Sequence, residues 1–238
     1  MSFDLIEQEI VNVLTIVPSC GYENWWGIQA NIGERRKWTL AVISSVGAIG
    51  RRHGYSQFFE FKSGEKREIE RRFVIEVLTK IQEKLGQTLY DNETDRFALP
   101  QWSGEWLYDL IWLQYDIDYE NIHLITHDNF INGLDPIYDR VALLQTPLVL
   151  ESEWDGDKFG YAKEDFEKLL QARSKYKVMV FTVGENRDRG RANQLFNSYC
   201  EKFTGLITQY QYTQSGDRYL FCGFPNYKDV FFNQYIHP

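Results

Sequence analysis

The chain has 238 residues, of which 43% are hydrophobic, 16% aromatic and 25% charged, with a formal net charge of −8. That composition suits one globular domain, residues 1–238, with a sizeable core, and it excludes a protein that coats nucleic acid through bulk positive charge. No apolar run reaches the roughly eighteen residues of a membrane helix, the N-terminus lacks a basic leader, and Cys20, Cys200 and Cys222 have no metal-like spacing, so the expectation is a soluble, reduced, cytoplasmic protein.

Phe3, Ile6, Ile10, Val13, Leu14 and Val17 recur at helical spacing, with Ser2 or Asp4 as cap and Pro18 as stop. A loop containing Gly21, Trp25, Trp26 and Gly27 follows. Trp38 to Ile43 reads as a strand ending near Gly47 and Gly50, and Phe58 to Phe61 as a short second one. Lys66 to Leu85 is the clearest helix: Ile69, Phe73, Val77, Ile81 and Leu85 form one stripe, and Gly86 stops it. Glu105 to Leu113, around Asp109, is strand-like. Tyr115 to Thr146, rich in Asp, Asn and Ile and containing a strand-like Ile122 to Ile125, reads as an insertion.

Leu148 to Trp154 is a strand, Glu164 to Arg173 a helix and Lys177 to Val183 a strand. Ala192 to Phe203 forms another helix that Gly205 breaks. Leu206 to Tyr212 and Arg218 to Phe224 resemble a hairpin turning around Ser215-Gly216-Asp217, and Val230-Phe231-Phe232 packs back on the body. The histidines, His123 and His127 among them, have no zinc spacing, and no glycine-rich loop of the phosphate-cradling type is present.

Chemistry concentrates where apolar strands carry acid. Glu151 and Glu153 extend the buried-type run Leu148-Val149-Leu150. Two apart on a strand, they share a face, with Leu150, Ser152 and Trp154 on the other. If the Asp109 strand is the neighbour, its carboxylate lies about 5 Å from Glu151. Gathered carboxylates repel, a cost that a hard divalent cation removes.

Asp on one strand, Glu-x-Glu on the next, then helix and strand, resembles the PD-(D/E)XK nuclease superfamily, the restriction-endonuclease-like fold. The resemblance implies a mixed α/β fold with an αβββαβ core over residues 66–183, an insertion at about 115–146, and N-terminal and C-terminal elaborations. It also implies a nuclease hydrolysing phosphodiester bonds of DNA with Mg2+ or Mn2+. Asp109 and Glu151 would be metal ligands. Glu153 stands where the family's lysine usually does, as a general base or a holder of water. In some members the lysine sits on the next helix, where Lys168 is the candidate. The Phe166, Leu169, Leu170 and Arg173 stripe puts Lys168 nearly opposite, as a solvated side chain. Asp116, Asp118 and Asp128 compete with Asp109. Arg187, Arg189 and Arg191 follow the Val178–Val183 strand and form the preferred loop for backbone phosphates. One metal or two, RNA in place of DNA, and a homodimer all stay open. The alternative is a catalytically silent binding or regulatory module on the same fold.

Overall fold

The computed structural model describes residues 4–20, 32–58, 65–89, 108–116, 142–155, 158–184, 188–225 and 229–238. Asp4 opens the first helix. Its carboxylate accepts the Glu7 amide at 3.0 Å while the Glu7 carboxylate accepts the Asp4 amide at 3.2 Å, so two otherwise orphaned donors are satisfied reciprocally. Helix α1, Leu5–Ile16, buries Ile10, Val13 and Leu14 and passes into a 3-10 turn, Val17–Cys20.

Helix α2 spans Glu34–Arg52. The Trp38 to Ile43 segment was expected to be a strand and lies inside this helix. The reason is burial: every residue from Leu40 to Gly50 is buried, and a helix wrapped on all sides has the same unbroken apolar run as a buried strand. Strand β1, Ser56–Phe58, follows; Phe59 to Phe61 lie outside the described residues. Helix α3, Glu65–Leu85, ends before Gly86, whose φ of 62° suits a residue without a Cβ. Next come β2, Leu110–Asp116, and β3, Ala142–Glu153. The expected insertion therefore gives both its ends to the sheet, and residues 117–141, including Asp118, Asp128 and Ile122 to Ile125, lie outside the described residues. Helix α4 is Phe159–Gln171, β4 Tyr176–Thr182, α5 Arg189–Gln209, β5 Arg218–Phe224 and β6 Phe231–Ile236.

The sheet is open and mixed, in the order β1-β2-β3-β4-β5-β6: five longer strands and the three-residue β1. β1, β2 and β3 pair antiparallel, β3, β4 and β5 parallel, and β6 closes antiparallel on β5. The expected hairpin of Leu206 to Tyr212 with Arg218 to Phe224 does not form. Helix α5 continues through Gly205 to Gln209, and β5 pairs with β4 and β6 instead. The C-terminal Phe231 and Phe232 begin β6.

Alternation along the strands sends side chains into two cores. Leu110, Trp112, Leu148, Leu150, Val178 and Val180 pack with α1, α2 and α3. Ile111, Val149, Met179, Phe181, Tyr219 and Phe221 pack with α4 and α5. The result is an α/β protein of three layers, in which each fully buried Leu or Phe contributes about 1.5–3 kcal/mol. The first helix of the expected αβββαβ unit also changes. Helix α3, taken for that role, falls between β1 and β2, and α2 is the helix that precedes β1.

Candidate functional site

Leu110 pairs with Leu150 across β2 and β3, and one step further along the same register Asp109 faces Glu151 at the end of the ladder. Leu150 and Trp154 belong to the core beneath α1–α3. Alternation then turns Glu151 and Glu153 to the α4 face, the division the spacing predicts. Contacts from α4 agree: Lys168 Nζ lies 3.5 Å from Glu151 Oε2 and 2.7 Å from Asp165 Oδ1. Asp109 is fixed by Ser152, whose backbone amide and hydroxyl both donate to Oδ2, at 2.8 and 2.6 Å.

Glu151 is 2% exposed, and its buried Oε1 has no hydrogen-bond partner among the described residues. Burial, then the charge of Asp109, pushes its pKa up to about 9 against the pull of Lys168. Burial likewise raises Asp109, opposed by the two Ser152 hydrogen bonds. Burial raises Glu153 too; the Asp155 amide lowers it, while Asp165 raises it by charge and by a hydrogen bond. For Lys168 burial works against the charged form, but Asp165, Glu151 and Asp109 together carry its pKa above the ordinary lysine value. Burial is the first cause of all three upward shifts, and the single ammonium of Lys168 offsets it only in part.

A hard divalent ion fits this donor set. The orphaned Oε1 of Glu151 is a buried acceptor without a donor, and the site's ligand-type atoms are carboxylate oxygens. Among the described residues no three Asp, Glu, His or Cys side chains form a metal-holding group. The protein's share would be the pair Asp109 and Glu151, and Mg2+ commonly takes one or two protein carboxylates and keeps water for the rest.

No protein-family model matches this chain, and no curated protein or solved structure matches it either.

One sequence expectation changes at the site, and two neighbouring residues were missed. Lys168 was expected to be solvated, opposite the apolar stripe of α4. It is 38% exposed and reaches the acids, because the polar flank of α4 faces the charged end of β3 and a lysine stem spans that gap. Asp165 went unnoticed, although its place three residues before Lys168 puts the two on one helix flank. Tyr108 was also missed; its hydroxyl donates to the Lys168 carbonyl at 3.5 Å.

The predicted phosphate loop is only partly described. Arg187 lies outside the described residues. Arg189 pairs with Asp229 and lies over the Phe231 ring at 5.6 Å, and Arg191 pairs with Asp188 at 3.4 Å. Both sit at the start of α5, just after β4, and so at the same sheet end as Glu153. Arg35 of α2 reaches that end as well, where it pairs with Asp155. Asp116 ends β2, seven residues along the strand from Asp109, which takes it away from Glu151. Cys20, Cys200 and Cys222 are free and buried, and among the described residues no helix is long and apolar enough to cross a membrane.

Proposed function

We propose that this protein is a metal-dependent nuclease that hydrolyses DNA phosphodiester bonds, on a restriction-endonuclease-like plan of the Glu-x-Glu kind. The observation that carries the reading is that Asp109, the residue just before β2, and Glu151 of the neighbouring antiparallel strand β3 lie close enough for the charge of one to raise the pKa of the other, beneath a helix that brings Lys168 to 3.5 Å from Glu151. The element order α2, β1, β2, β3, α4, β4 supports the αβββαβ core, with α3 inserted between β1 and β2. On that reading the core covers about residues 34–182 rather than 66–183.

When bound, Mg2+ or Mn2+ supplies Lewis-acid stabilisation of a phosphodiester attacked by water. The chain's own groups divide the remaining work. Asp109 and Glu151 hold the ion, and Ser152 orients Asp109 through two hydrogen bonds. Lys168 keeps its positive charge and offers it to the developing charge on the phosphate. Glu153, whose pKa is raised first by burial and then by Asp165, is the candidate base for the attacking water.

Nicking of supercoiled plasmid in Mg2+ tests this. Wild type is expected to cut, and Asp109→Asn and Glu151→Gln to lose cutting by at least a hundredfold, roughly what a lost electrostatic group costs. Equal cutting by both variants contradicts the site assignment. A wild-type protein that cuts neither DNA nor RNA in Mg2+ or Mn2+, yet holds a stable partner, corresponds to the binding-module alternative.

A further inference from the structure

A cavity of about 700 Å3 opens where α4 and α5 end, lined by the segments that lead into β4 and β5. Glu153 lies at the other end of the parallel strands and Glu151 level with Met179, midway along β4; neither lines the cavity, so this is a separate feature. Two tyrosines stand at its wall, Tyr210 and Tyr212, ring centroids 5.8 Å apart and edge to face. Tyr212 is 77% exposed.

Arg173 and Lys175 line the same cavity, both exposed. Neither forms an ion pair among the described residues; Lys175 rests 5.1 Å over the Tyr176 ring. Most other arginines of the described structure are matched to acids: Arg35, Arg36, Arg71, Arg72, Arg189 and Arg218. The acid of the cavity wall, Asp217, is already neutralised by the buried Lys177 at 2.5 Å. In a chain of net charge −8, this pocket is locally positive.

We propose that the cavity binds a nucleotide, its base stacked on Tyr212 and its phosphate held by Arg173 and Lys175. Cavities of about 300–1,000 Å3 hold ligands of that size. Tyrosine faces accept any base by stacking, the guanidinium fork matches phosphate oxygens, and the Gln214 side chain at the rim supplies an amide for a base edge. The nucleotide can be free or one unit of a single strand; the recognition chemistry is the same. The inference stands on the cavity and is independent of the nuclease reading.

The test is calorimetry on the full chain in EDTA, which removes any contribution from divalent ions. The probes are a nucleoside 5′-monophosphate, the unphosphorylated nucleoside, inorganic phosphate and a short single-stranded oligonucleotide. The monophosphate or the oligonucleotide is expected to bind at least tenfold tighter than nucleoside or phosphate alone, and whichever binds tighter identifies the source. Tyr212→Ala should weaken that binding roughly tenfold or more with an unchanged Tm, since the ring is mostly solvent-exposed. Arg173→Ala with Lys175→Ala should abolish the preference for the phosphorylated probe and flatten the salt dependence. Absence of binding by both nucleotide probes overturns the proposal. So does a double variant that lowers Tm while binding as wild type, because the two cations would then serve only the carbonyl ends of the helices.

Discussion

Lys168 on α4 and Glu151 on β3 stand 3.5 Å apart, Nζ to Oε2, with Asp165 holding the same ammonium at 2.7 Å. The pair joins a helix to the acidic end of a buried strand, and it decides how much negative charge that end can carry.

If Lys168 acts on the phosphate, its removal slows the chemical step and leaves ion binding in place. Lys168→Ala is expected to lower kcat by about two to three orders of magnitude, with KM changed much less and Lys168→Arg recovering part of the loss. Single-turnover cleavage separates the two effects. A Lys168→Ala protein with wild-type kcat would make this lysine an ordinary partner of Asp165.

The Glu151 carboxyl, held near 9 by burial and Asp109, makes the metal-free protein pH-sensitive with a definite sign. Its pKa is raised on folding, so the folded state binds the proton more tightly. This contribution to stability is full below about pH 4.5 and declines as pH rises towards 9. At pH 7 it amounts to at most about 3 kcal/mol. Urea melts in EDTA should show stability falling across that window, and Glu151→Gln should flatten the slope. An unchanged slope in the variant would mean another group titrates.

Far from the site, Glu7 and Arg218 fasten α1 to the foot of β5. Arg218 donates from Nε and Nη2 to Glu7 at 3.0 and 2.6 Å, with Glu7 1% exposed. Removing one partner strands a buried charge, so Arg218→Ala is expected to destabilise by about 3–5 kcal/mol. Replacing both with apolar residues should recover much of that. Chemical denaturation of the single and double variants measures it.

Gly223 of β5 admits Phe196 from α5. A Cβ there would clash with the Phe196 ring, so in Gly223→Ala the ring or the helix that carries it must shift. An overpacking cost of about 1–3 kcal/mol is expected, read as a lower Tm. Gly205→Ala is the control: nothing lies within 4 Å of a Cβ at that position.

Local rules were strong enough to read some elements from sequence and blind to others. The amphipathic stripe of α3 and the alternation at Glu151 and Glu153 were legible, because each element has one solvated or polar side. Helix α2 was not: buried from Leu40 to Gly50, it has no polar flank to set a period. The last turn of α5, Leu206 to Gln209, read as a strand because Gly205 suggested a break, yet Ile207 is buried in the core beneath it. At the site, Asp109 and Glu151 could be paired from their apolar flanks. Lys168 could not, because helical periodicity shows which side is apolar and says nothing of what faces the polar one.

Calorimetric titration of Mg2+ and Mn2+ into wild type, Asp109→Asn and Glu151→Gln tests the central claim most directly. The account predicts one binding event in wild type, accompanied by proton release because Glu151, its pKa pushed up to about 9, carries a proton before the ion arrives, and at least a tenfold weaker Kd in each variant. Binding of equal affinity in all three proteins would contradict it.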